Sequence, residues 1–79
     1  MGNNRPIKVK DWIRFLEAHG CKKNRHQDGS HEKWKCPGCF RTIVFRHQEK
    51  EIPALHLRTN LQSMDMSIDY LYEWVEKNC

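Results

Sequence analysis

The chain has 79 residues, 38% of them hydrophobic, which makes one small domain near the lower size limit for folding on a hydrophobic core alone. Its 14 Lys and Arg against 10 Asp and Glu give a net charge of +4, a balance that favours an acidic partner, either nucleic acid or an acidic protein. No run approaches the ~20 apolar residues of a membrane span and no signal-peptide core opens the chain, so no membrane-spanning helix and a cytoplasmic location are expected.

Residues 1–8 read as a flexible N-terminal arm, polar up to Pro6, and 9–79 as the single domain. Val9, Trp12, Ile13 and Leu16 recur at i, i+3, i+4 and i+7, which predicts a helix over 9–19 with Trp12 and Phe15 in the core. Asp11 suits its first turn and Gly20 is placed to close it. Cys21 to His26 reads as a short polar strand, Gln27-Asp28-Gly29 as a turn, and His31 to Cys36 as a second strand. Pro37-Gly38 reverses the chain into a third strand over Arg41 to His47, rich in β-branched and aromatic residues. Its inward parity is open, because Ile43 and Phe45 compete with Val44. Leu57, Leu61 and Met64 mark a short helix that Asp65-Met66 breaks, and Ser67 caps a last one with the stripe Ile68, Leu71, Tyr72 and Val75. The order α-β-β-β-α-α, with helices gathered at the ends of a three-stranded antiparallel sheet, is an α+β architecture.

The chemistry concentrates at Gly29-Ser30-His31. Alternation along the second strand sends His31, Lys33 and Lys35 to one face and Glu32, Trp34 and Cys36 to the other. Lys22, Lys23 and Arg25 lie on the neighbouring strand. Such groups contact phosphates without sequence preference, and an imidazole set among them can move a proton at neutral pH. Ser30 and the Gly29 amide are placed to donate hydrogen bonds to a phosphate oxygen. An isolated turn with an exposed histidine is more often inert, and it is the surrounding lysines that favour function. His47 is expected near the same turn, whereas His19 and His56 read as capping or surface groups at helix ends. The weak signal in Arg46 and Arg58 is for phosphate.

Cys36-Pro37-Gly38-Cys39 is a CxxC across a hairpin, half of a zinc knuckle, with Cys21, His26 and His47 as conceivable further ligands. No second CxxC exists, and the βαβ setting of a redox motif is missing. Free thiols are therefore the expectation for all four cysteines, with Cys36 and Cys39 as a metal pair the minor alternative.

Taken in order, these motifs resemble the HicA toxin family, small ribonucleases of bacterial toxin–antitoxin pairs, over about Val9 to Val75. The resemblance rests on a helix closed by His19-Gly20, Gly29-Ser30-His31 opening a strand, Val44-Phe45-Arg46-His47 near the family's Val-Pro-x-His, and Lys50-Glu51-Ile52 leading to the helix around Leu57. Three departures stand out: Phe45 in place of proline, the Cys36–Cys39 pair, and Asp65 in place of glycine. The resemblance implies a double-stranded-RNA-binding-domain-like fold, cleavage of mRNA without a cofactor, and neutralisation by a HicB-like antitoxin. It carries the catalytic role to His31 alone. The competing readings are a non-catalytic RNA-binding module and a small zinc-stabilised interaction domain.

Overall fold

The computed structural model describes residues 5–24, 31–39, 41–46 and 50–79. The chain runs β1 (Ile7–Lys8), α1 (Val9–Ala18), β2 (Lys22–Lys23), β3 (His31–Lys35), β4 (Ile43–Arg46), β5 (Glu51–Ile52), α2 (Ala54–Ser63) and α3 (Ile68–Asn78). The expected meander is present as an antiparallel sheet in the order β2-β3-β4, and a two-stranded antiparallel pair of β1 and β5 is added to it. No helix of the described residues is long and apolar enough to cross a membrane.

The helix ends that the sequence marks are built as local chemistry predicts. Gly20 takes φ +82°, its N–H donates to the Glu17 carbonyl at 3.1 Å, and the Cys21 N–H donates to Leu16 at 2.9 Å. Those two bonds are a Schellman cap, which needs a left-handed residue at this position. The same cap closes α2, where Asp65 stands at φ +57°, Asp65 N–H donates to Gln62, and Met66 N–H donates to Leu61. Ser67 Oγ accepts the Tyr70 N–H at 3.1 Å and starts α3.

Helical and strand stripes converge on one core. Trp12, Phe15 and Leu16 of α1, Ile43 of β4, Leu57 of α2 and Leu71 of α3 are completely buried, with Trp34 and Phe45 nearly so. The parity left open by the sequence is settled: Ile43 and Phe45 face inward, and Val44 is exposed on the far side.

Two expectations are corrected. Residues 5–8, assigned to the flexible arm, are held in the fold: Ile7 is buried opposite Ile52, and Tyr72 Oη donates to the Arg5 carbonyl at 2.6 Å. An apolar residue two places before a helix had a core to join, which the polar composition around it concealed. Nor are all the thiols free, because Cys21 and Cys36 are joined in a disulfide, leaving Cys39 and Cys79 as free thiols. The cause is register: Lys22 pairs with Lys35 and Lys23 with Trp34, so the next antiparallel position sets Cys21 opposite Cys36.

Candidate active site

β3 carries the alternation the sequence predicts. His31 and Lys35 are exposed and Lys33 half-buried, while Glu32 and Trp34 are buried on the opposite face. Cross-strand neighbours share a face, so Lys22 stands beside Lys35, Val44 beside Lys33, and Arg46 beside His31. One side of the sheet thereby presents a run of cations that ends at the His31 imidazole.

Lys23 does not belong to that run. It pairs with Trp34, and its ammonium lies 3.8 Å from the carboxylate of Glu32. Glu32 is buried and also accepts the Trp34 indole N–H at 2.8 Å. Alternation along β2 turns Lys23 to the opposite face from Lys22, and there it serves the buried carboxylate, which requires such partners. Arg25, Gly29, Ser30 and His47 lie outside the described residues, and so does the turn that precedes His31.

His31 opens onto a cleft of about 600 Å³ between the edge of the sheet and α2. Its strand wall is made by His31, Arg46 and Val44, with Arg41 two residues before β4; its helix wall carries His56 and Asn60. The two walls are tied together by one side chain. Asn60 is buried; its Nδ2 donates to the Val44 carbonyl at 3.1 Å, and its Oδ1 lies 3.5 Å from the Val44 N–H. β4 is an edge strand, and the amide occupies backbone groups that a neighbouring strand would otherwise take. The cleft is thus bordered by fixed elements on both sides.

His56 is the residue whose place the sequence did not reveal. It is exposed, as expected of a surface group, but it lines the same cleft as His31. A signal was available: His56, Thr59, Asn60 and Ser63 recur at i, i+3, i+4 and i+7 and form a polar stripe beside the apolar one of Leu57 and Leu61. What such a stripe faces is a tertiary fact.

The other candidate groups are placed elsewhere. The His19 Nδ1–H donates to the Phe15 carbonyl at 2.7 Å, and Nε2 is hydrogen-bonded with the Tyr70 hydroxyl, 2.8 Å away. His19 therefore joins α1 to α3 and has no part in the cleft. Cys36 is spent on the disulfide, so Cys36 and Cys39 do not present a pair of thiolates to a metal. Cys39 is half-buried, and that burial pushes its thiol above the ordinary range, against the opposing effect of its hydrogen bond with the Cys36 backbone. Among the described residues no group of three or more His, Cys, Asp or Glu is arranged to hold a metal ion.

A family model described as the HicA toxin of bacterial toxin–antitoxin pairs matches residues 9–66, from the start of α1 through the cap after α2, and stops short of α3. No curated protein and no solved structure matches the chain.

Proposed function

The chain belongs to the HicA toxin family, so it is the toxin of a toxin–antitoxin pair and has an antitoxin as partner; from that premise we propose that it is an endoribonuclease that cleaves mRNA with His31 as its catalytic base. The observation that supports this most is the setting of His31: exposed at the head of β3, directly across from Arg46, and on the same face as Lys33, Lys35 and Lys22. A polyanion lying along that face reaches an imidazole at its end.

The imidazole removes the proton of a 2′-hydroxyl, and the resulting oxygen attacks the adjacent phosphorus. Arg46 beside it stabilises the negative charge that develops on the phosphoryl oxygens. Lys22, Lys33 and Lys35 hold the phosphate backbone without reading bases, which gives affinity that weakens as salt rises. Arg25, Gly29 and Ser30 complete the phosphate contacts in this reading. The same face is the surface a HicB-like antitoxin covers, because an acidic partner meets its charge there and removes His31 from substrate.

Replacing His31 by alanine tests the proposal. Cleavage of an RNA oligonucleotide falls by about 10²–10⁴-fold, the range for loss of a general base, while binding to the same RNA persists. The 2′-deoxy analogue stays intact. Unchanged cleavage by His31→Ala, or cutting of the deoxy strand at a similar rate, refutes the mechanism. Tight RNA binding with no cleavage by the unaltered protein instead identifies a binding module.

A further inference from the structure

We infer that His56, on the helix wall of the cleft, is the general acid that protonates the departing oxygen in the cleavage proposed above, the reading on which this inference rests. In an in-line displacement the attacking 2′-oxygen and the leaving 5′-oxygen lie on opposite sides of the phosphorus. The acid and the base must then stand on opposite sides of the phosphate. His31 and His56 come from two different walls, the strand wall and the helix wall, of a single cleft of about 600 Å³, a size suited to part of a nucleotide chain.

The remaining lining groups do not compete for the role. Arg41 and Arg46 offer guanidinium groups, Asn60 an amide, and Thr42, Thr59 and Ser63 hydroxyls, none of which is a usual side chain for general acid catalysis. Lys33 and Lys35 share the face of His31 but do not line the cleft. Among the described residues, His56 is therefore the one cleft group besides His31 that carries an imidazole, the side chain most often used in general acid–base catalysis. The helix that carries it is tied to the strand wall. Asn60, one turn further along α2, holds the Val44 backbone, and Val44 lies on the strand that pairs His31 with Arg46.

The step balances without a further reactant. A bond forms between the 2′-oxygen and phosphorus as His31 takes the hydroxyl proton. The bond from phosphorus to the 5′-oxygen breaks as the His56 imidazolium gives its proton to that oxygen. The products are a 2′,3′-cyclic phosphate and a 5′-hydroxyl, and exchange with water returns each ring to its starting state.

The test uses an RNA oligonucleotide that the wild-type protein cuts, resynthesised with sulfur in place of the 5′-bridging oxygen at that cut. A thiolate leaves without protonation. His56→Gln, at an exposed position, is expected to slow cleavage of the ordinary RNA by about 10²-fold or more and to cut the sulfur substrate at nearly the wild-type rate, which also shows that the variant is folded. His31→Ala fails on both substrates. Equal slowing of both substrates by His56→Gln overturns the acid role, as does a wild-type rate on RNA while His31→Ala is inactive, which leaves the ribonuclease reading standing. Recovery on sulfur for His47→Gln in place of His56→Gln likewise overturns it. A wild-type protein that cuts no RNA overturns both.

Discussion

Reducing the Cys21–Cys36 bond should loosen the whole domain, because it joins the C-terminal cap of α1 to the end of β3 in a chain with a small core. The two cysteines are separated by 15 residues and both are buried. Opening a covalent loop of that length restores disorder to the unfolded chain worth ~3 kcal/mol. At this size each kcal/mol displaces the midpoint by about 4–8 °C, so the expected loss is roughly 12–24 °C. The assay is thermal unfolding followed by circular dichroism, with and without a phosphine reductant. The Cys21→Ala/Cys36→Ala variant serves as control: it should melt low under both conditions, since it has no bond to reduce. Mass spectrometry after alkylation of the unreduced, denatured protein should find two reactive thiols, Cys39 and Cys79. Four reactive thiols, or a wild-type midpoint indifferent to reductant, would refute the reasoning.

Gly20→Ala should lower the midpoint as well. The Schellman cap holds Gly20 at φ +82°, and an added Cβ would lie 3.3 Å from Pro37 Cγ. The left-handed conformation costs an L-residue about 1–2 kcal/mol, so a fall of roughly 4–16 °C is expected, and an unchanged melting curve contradicts it. The two free thiols should differ in reactivity. Alkylation of the folded protein with iodoacetamide near neutral pH, mapped by peptide mass, is expected to mark exposed Cys79 before half-buried Cys39. Burial raises the Cys39 pKa and so reduces its thiolate, the reactive form, and its labelling should accelerate as pH rises. Early labelling of Cys39 would mean that it is not packed as described.

The sequence by itself determined what depends on near neighbours. The stripe of Val9, Trp12 and Leu16, the glycine at position 20, and Ser67 before Ile68 specify helices and their ends through contacts within a turn or two. Alternation along β3 was legible for the same reason, and it placed His31 with Lys33 and Lys35 and sent Trp34 inward. The tertiary structure alone decided what depends on register and on which elements meet. The parity of β4 followed once β3 was laid beside it, and the Cys21–Cys36 bond from the pairing of β2 with β3. That Lys23 pairs with Trp34 and meets the buried carboxylate of Glu32 likewise depended on how β2 lies against β3. The cleft depends on a helix docking against an edge strand through Asn60, some 16 residues along the chain from Val44. No local pattern encodes that meeting, and so the histidine the sequence singled out came to share a cleft with a second imidazole only when the chain was folded.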